Sequence, residues 1–442
     1  MSVGFVFAVL TYAGIVGFIG NSFLLIEGSP YSLFLIVPLF LFLNLFSGTL
    51  LIRTSSKRLR ICYHGTVLLS AFYLSTIFSI IFQIYLAIRL IPSRTNTFLL
   101  GLLFCFMVHF IIFWNGITCI YLTSTQLGIK IRVIGAACGM IPIANLLALF
   151  FLIKTTLREC MFETEKEAIN KARREQKICA TKYPILMVHG FFFRDYKYIN
   201  YWGRIPKQLE INGATIFYGN HGSAATVSES AREIADRIEQ VLQETGAEKV
   251  NIIAHSKGGL DCRYALSELG IENRVASLTT INTPHHGCLF ADHLLSKIPA
   301  TVRNRVANTY NAALRKVGEE NVDFLRAASD LTDASCKALN EKLHTPEGVY
   351  CQSVGSVMKK ASGGKFPLNF SYYLVKYFSG ENDGLVSEPS FQWGERYILL
   401  RPKHQRGISH GDIIDLNRQN INGFDVREFY VELVKDLKDR GL

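Results

Sequence analysis

The hydrophobic and polar positions divide the chain near residue 153 into two parts with different patterns. The first part consists of long apolar runs separated by short polar stretches, and a helix needs about 20 such residues to cross a bilayer. Soluble cores rarely contain runs of this kind in series, so the pattern predicts an all-α transmembrane region of about five helices. The runs cover residues 3–26, 32–52, 63–88, 98–123 and 131–153.

Basic residues between the apolar runs predict the orientation of this region. The polar stretches 53–60 and 128–132 carry six Lys and Arg residues, whereas the stretch 89–96 carries two. Because Lys and Arg are enriched in cytoplasmic loops, we expect a multi-pass membrane protein with a cytoplasmic N-terminus and an extracytoplasmic C-terminal domain. The basic stretch directly after residue 153 favours the opposite side, so both orientations stay open.

The second part of the chain has the alternating pattern of an α/β domain. Residues 154–182 are charged and predict a helical connector, and from Tyr183 short β-branched runs alternate with helical periodicity. This alternation predicts a mainly parallel sheet flanked by helices over residues 183–442, with functional residues at the carboxyl ends of the strands. The predicted strands are 184–189, 214–219, 250–254, 275–281, 348–355 and 396–400, and the predicted helices are 202–211, 228–245, 257–269, 289–297 and 423–438.

Charge and cysteine content exclude some classes of function. The net charge is +11, but residues 154–442 carry 39 bases and 35 acids, so the excess gives no sign of nucleic-acid binding. The ten cysteines include no CxxC pair that would indicate zinc or redox chemistry. Cys336 and Cys351 are compatible with a disulfide in an extracytoplasmic domain and equally with two reduced thiols.

Ser256 has the surroundings of a catalytic nucleophile. The segment 254–258, AHSKG, has a small residue two positions before and two positions after this serine. A strand that turns sharply into a helix requires small residues there, because larger side chains would collide with the neighbouring backbone. An apolar strand precedes the serine and a helical segment follows it, which favours a nucleophile over an ordinary turn serine.

An acyl-transfer serine needs backbone donors for the oxyanion that develops during attack. The first donor would be the amide of Lys257, directly after the nucleophile, and the second the amide of Phe191, in the loop after the first strand. Phe192 and Phe193 follow in the same loop and are candidate substrate-binding residues that would form an acyl-binding wall.

The base and its orienting acid are expected after the serine, in the order acid and then histidine. Asp383 lies in a glycine-flanked turn, and His410 lies just before the last predicted helix. The histidine would take the serine proton, while the carboxylate fixes its tautomer and stabilises the imidazolium. The rival residues are His404 as base and Asp412 or Asp415 as acid.

These motifs together resemble the bacterial triacylglycerol lipases of the α/β-hydrolase fold. The resemblance covers about residues 183–440, through VHGFF at 188, AHSKGG at 254, NTPHHG at 282, NDG at 382 and SHGD at 409. It implies a Ser256–Asp383–His410 triad, with oxyanion amides at Phe191 and Lys257. It also implies a helical, lid-like insertion at about residues 289–345, for which ordinary packing over the sheet is an equal alternative.

The sequence departs from the calcium-binding pattern of this family, and the resemblance does not extend to the first 153 residues. The family often holds a structural calcium, to which Asp412 would contribute, but the position where a glutamine is expected is Leu416. We therefore expect no cofactor and no metal. The sequence predicts a membrane-anchored serine lipase or esterase whose partners are a lipid ester, with acylglycerols favoured, and the bilayer. The alternatives are an acyltransferase with the same triad, and a transporter or sensor with a passenger hydrolase domain.

Overall fold

The computed structural model of the protein describes residues 3–139, 141, 143–191, 200–316, 322–401 and 406–442. The chain forms two compact units, Met1–Lys171 and Ala172–Leu442.

The N-terminal unit is helical throughout its described secondary structure. Its helices are α1 (Val3–Gly20), α2 (Phe23–Gly28), α3 (Leu33–Phe46), α4 (Lys57–Thr123), α5 (Gly128–Cys138) and α6 (Ala144–Arg173), the last of which runs into the second unit. Among the described residues, only α4 is long and apolar enough to cross a membrane by length and composition, and α1 and α3 are shorter apolar helices.

Helix α4 is bent back on itself at Arg94, which has non-helical φ and ψ angles of −141° and 51° and follows Pro92. On either side of the bend, Ser75 Oγ lies 3.2 Å from His109 Nε2, and the backbone at Gly65 lies against Gly116 O. Gly65 and Gly116 are each farther from the bend than Ser75 and His109, so the two arms of α4 run antiparallel. The bend falls within the polar stretch 89–96, which lies between the apolar runs 63–88 and 98–123.

Three of the predicted spans differ from the observed helices. The segment 131–153 is divided between α5 and α6, the segment 3–26 is interrupted after Gly20, and the helix within 32–52 ends at Phe46. Average hydropathy overlooks helix breakers: the sequence GMIP at 139–142 contains a glycine and a proline, which disfavour helix despite apolar neighbours.

The C-terminal unit is built on a six-stranded parallel sheet with the order β2-β1-β3-β4-β5-β6. Its strands are β1 (Ile185–Val188), β2 (Ile216–Tyr218), β3 (Val250–His255), β4 (Val275–Ile281), β5 (Tyr350–Ser356) and β6 (Arg396–Leu400). The helices are α7 (Ile205–Ile211), α8 (Val227–Thr245), α9 (Lys257–Glu268), α10 (Leu289–Ser296), α11 (Ala300–Lys316), α12 (Phe324–Ser329), α13 (Asp333–Lys342), α14 (Leu368–Ser379) and α15 (Val426–Asp439).

Helices cover both faces of the sheet, which explains why its central strands are continuously apolar. Trp202 and Tyr430 belong to the core on one face, with residues of α7 and α15. Ile234 and Ile238 of α8 belong to the core on the other face, with residues of α9. Strands buried on both sides need no polar alternation, which is the pattern that the sequence shows.

The C-terminal unit begins before Tyr183. Cys179 is fully buried in the core that contains Tyr430, and Arg173 forms an ion pair with Glu428 of α15. The end of the charged segment 154–182 is therefore part of the sheet domain, and its beginning continues α6.

Candidate active site

Ser256 occupies the turn between β3 and α9 in a strained conformation. Its φ and ψ angles are 55° and −130°, a combination that side-chain-bearing residues rarely adopt. Strain of this kind is typical of a serine that a strand-to-helix turn holds at the end of a sheet.

Two glycines after Ser256 permit this turn because other backbone and side-chain atoms pass very close. A methyl group on Gly258 would lie 2.3 Å from His189 O, and one on Gly259 would lie 2.1 Å from Thr283 Oγ1. These distances are below van der Waals contact, so the start of α9 packs against the ends of β1 and β4 only with glycine at both positions.

The structure brings together the three residues that the sequence suggested as a triad. His410 Nε2 lies 3.0 Å from Ser256 Oγ, and His410 Nδ1 lies 2.6 Å from Asp383 Oδ2. A proton on Nδ1 would be donated to the carboxylate, and the lone pair on Nε2 would then face the serine hydroxyl.

Asp383 is fully buried and its carboxylate is held by four groups. The backbone amides of Leu385 and Val386 donate to Oδ1, at 2.9 and 2.8 Å, and Asn282 Nδ2 donates to Oδ2 at 2.6 Å, alongside His410. Such donors fix the carboxylate against the histidine. Asn282 directly follows β4, and this position after a strand is the only feature of the sequence that could have indicated the contact.

The rival residues have other surroundings. Asp415 pairs with Arg204, at 2.7 Å, and Asp412 pairs with Arg406, at 3.0 Å. His404 lies outside the described residues.

The loop after β1 passes directly against the nucleophile. A methyl group on Gly190 would lie 2.7 Å from Ser256 Cβ, so the backbone leading to Phe191 borders the site. The amide of Gly190 donates to the hydroxyl of Tyr201, at 3.1 Å, and that hydroxyl lies 2.6 Å from His255 Nδ1. The loop is thus anchored to the residue before the nucleophile. Phe192 and Phe193 lie outside the described residues.

The ring of Phe191 packs under the insertion at 289–345. Its centroid lies 5.2 Å from that of Phe324 and 6.3 Å from that of Tyr310. These residues belong to α12 and α11, so two helices of the insertion cover the loop that borders Ser256.

Lys257 carries a buried charge that the sequence analysis missed. Its Nζ donates to both oxygens of Asp261, at 2.8 and 3.0 Å, and to Ser230 Oγ at 2.9 Å. Burial raises the pKa of Asp261 to about 7, while the Lys257 ammonium opposes that shift. The four-residue spacing of Lys and Asp on one helix is a signal that could have indicated the pair. The pair ties the first turn of α9, which contains the Lys257 amide, to α8.

The residues around Asp412 do not fit a calcium ion. Arg406 Nη2 donates to both oxygens of the Asp412 carboxylate, at 3.0 and 3.2 Å, so this carboxylate already has a guanidinium as its cation. Leu416 packs against the hydrophobic core. Across the described ranges, no group of three or more His, Cys, Asp and Glu side chains is placed to hold a metal. Cys336 and Cys351 are both free, buried thiols.

Comparison with known proteins agrees with this architecture. Residues 183–400 match the profile of the alpha/beta hydrolase fold family. A triacylglycerol lipase of Pseudarthrobacter phenanthrenivorans is 34% identical over 174 residues, which are 36% of this chain and 54% of that lipase. A triacylglycerol lipase of Vibrio cholerae serotype O1 is 28% identical over 297 residues, which are 61% of this chain and 92% of that lipase.

Among solved structures, the mature form of Bacillus licheniformis lipase BlEst2 is 21% identical, with a TM-score of 0.44, over 58% of this chain and 92% of the lipase. The chain spans about half the length of the first two curated relatives. The parallel sheet and the match of residues 183–400 to the family profile show that the C-terminal unit has the alpha/beta hydrolase fold.

Proposed function

We propose that the chain is a membrane-associated serine lipase or esterase that hydrolyses carboxylic esters of lipids, with acylglycerols as the favoured class. The observation that carries the proposal is the hydrogen-bonded series from Ser256 through His410 to the buried Asp383. The names of the relatives, which are triacylglycerol lipases, support the substrate class.

The proposed reaction follows from these contacts. Ser256 Oγ attacks the ester carbonyl carbon, its proton passes to His410 Nε2, and the carbonyl electron pair moves onto oxygen. The amides of Phe191 and Lys257 stabilise that oxyanion. The intermediate collapses, the bond to the alcohol oxygen breaks, and the alcohol leaves with the proton from His410. Water then attacks the acyl-serine by the same route and releases the carboxylic acid.

Membrane association is supported by the apolar surface of the N-terminal unit. Phe7, Phe34 and Leu122 belong to helices rich in outward-facing apolar side chains, and each of them is exposed. Such surfaces are stable in water only when they are covered, and a bilayer would cover them. A multi-pass arrangement with an extracytoplasmic hydrolase domain remains our proposal for the topology.

The test of the proposed function is a comparison of two serine variants on the same helix. We expect purified Ser256→Ala protein to hydrolyse p-nitrophenyl esters at least about a thousandfold more slowly than wild type. Ser267→Ala, which changes the same atoms near the end of α9, serves as the matched control and should retain activity. Equal rates for wild type and Ser256→Ala would refute the proposal.

The product distribution separates hydrolysis from acyl transfer. In the presence of a competing alcohol, we expect free carboxylic acid to predominate. A new ester as the main product would instead favour the acyltransferase alternative.

A further inference from the structure

Helix α14 presents aromatic side chains to solvent on its outward face. Phe370, Tyr373 and Tyr377 recur at helical spacing, and with Phe366 and Phe378 they form a set, called the aromatic face below, whose members are 60 to 84% exposed. Over the described residues of the C-terminal unit, the other exposed large apolar side chains are Ile211, Val302 and Val306. The exposed apolar side chains of this unit are therefore concentrated on α14.

The aromatic face is not needed to hold α14 in place. The opposite side of the helix carries Ser371, Tyr372 and Val375, all buried, and Tyr372 packs with Met358 and Ala361. An ordinary surface helix has its apolar residues inside and its polar residues outside. On α14 large aromatic rings point outward, an arrangement typical of a surface that binds something.

The segment of the chain that contains the aromatic face carries only positively charged side chains. No Asp or Glu occurs from Gly348 to Gly380, whereas four lysines do: Lys359, Lys360, Lys365 and Lys376. All four are exposed in the structure. Aromatic rings flanked by lysines are typical of helices that lie in the headgroup region of a bilayer, where each lysine near anionic lipid adds attraction.

The aromatic face is linked to the candidate triad by a short segment. Asn382 Nδ2 donates to Gly380 O at 2.9 Å, and to Tyr372 O at 3.4 Å, and the next residue is Asp383. Helix α14 therefore ends only four residues before the acid of the candidate triad.

We propose that the aromatic face docks the hydrolase domain on a phospholipid bilayer that contains anionic lipid. The rings lie among the headgroups, and the lysines contact the lipid phosphates. A second copy of the chain is disfavoured as the occupant, because a two-fold interface on this face would place the same lysine-rich surface against itself and bring like charges together. The docking itself is independent of the proposed function, and only its role in supplying ester substrate rests on that function.

Photocrosslinking identifies the occupant without using activity. Full-length protein carrying Ser256→Ala, with p-benzoylphenylalanine at position 370, is reconstituted with phosphatidylcholine and phosphatidylglycerol and irradiated. We expect a phospholipid adduct by mass spectrometry, at several times the yield obtained with the same probe at the exposed position 211 of α7. A covalent dimer, or an equal lipid yield at the two positions, overturns the proposal.

A kinetic comparison tests the role in substrate supply. We compare wild type with the triple variant Phe370→Ser, Tyr373→Ser, Tyr377→Ser, using one ester in phosphatidylglycerol vesicles and one dissolved as monomers. The ratio of vesicle rate to monomer rate should fall on the order of tenfold in the triple variant, and not in Ile211→Ser. An unchanged ratio overturns the role of the aromatic face in substrate supply. If Ser256→Ala retained activity in the monomer assay, the proposed function alone would fail.

Discussion

Arg406 holds the loop that carries His410, through the acid that the sequence analysis considered as a calcium ligand. Besides its two bonds to Asp412, its Nε donates to Gly363 O at 2.9 Å. Asp412 also accepts the amide hydrogen of Ser409 at 3.1 Å, next to the histidine. A fixed guanidinium thus supplies the positive charge in that loop.

Removal of this guanidinium should destabilise the loop. Arg406→Ala leaves Asp412 buried without its cation, and we expect it to lower the unfolding free energy by about 1–3 kcal/mol and to reduce ester hydrolysis. Wild-type activity should not change with EGTA. Arg401→Ala, which breaks only the exposed pair with Glu381, is the control and should have little effect. Loss of wild-type activity in EGTA that calcium restores would contradict this interpretation.

His285 should make the domain sensitive to acid. Burial, and then the Arg263 charge, hold the pKa of His285 well below its usual 6.5. The unfolded chain takes up this proton near pH 6.5 and the folded chain does not, so stability falls as the pH decreases below that value, by up to about 1.4 kcal/mol per pH unit.

Urea unfolding between pH 5 and 6.5, followed by tryptophan fluorescence, measures this slope. His285→Gln should make the pH dependence shallower by up to that amount. Parallel pH profiles for wild type and His285→Gln would show that His285 does not contribute.

At the scale of elements, the join between β3 and α9 depends on close packing against β4. Gly259→Ala would place a methyl group against the side chain of Thr283, and we expect a loss of stability of about 1–3 kcal/mol. Thr283→Ala in the same protein removes two of the three clashing atoms and should recover part of the loss. The double-mutant cycle from thermal unfolding measures this coupling, and additive effects would show that the clash is not the cause.

The sequence predicted most elements of the sheet but missed α14. All six strands lie within two residues of their predicted starts and ends, because a buried parallel strand is a short apolar run that local sequence shows clearly. Helix α14 has aromatic residues on both sides, so the sequence alone does not show which of them face solvent. Its outward face could be seen only once its neighbours were in place.

At the scale of the whole molecule, the sheet domain has its own core, and it begins before the first predicted strand. The contacts of Arg173 and Cys179, together with the bond from the Lys182 amide to Leu442 O at 2.8 Å, lie before the first predicted strand. We expect residues 172–442 to fold alone and to react with a labelled fluorophosphonate.

A shorter fragment tests the boundary. Residues 183–442 lack those contacts and should unfold at a temperature lower by about 5 °C or more. Equal melting temperatures of the two fragments would show that the stable domain begins at residue 183 instead. Labelling of the full chain in intact and permeabilised cells would show on which side of the membrane the domain lies.

The sequence by itself determined the two-part division, the strand pattern and the residue types at the nucleophile turn, because each depends on neighbours close in the chain. It also indicated Ser256, Asp383 and His410 as candidates through their order. Tertiary structure decided which groups surround them: the Asn282 contact, the Lys257–Asp261 pair and the cation beside Asp412. The Asn282 contact joins residues about a hundred positions apart, which only folding brings together, and the two ion pairs form between near neighbours because burial and local backbone geometry place their side chains together.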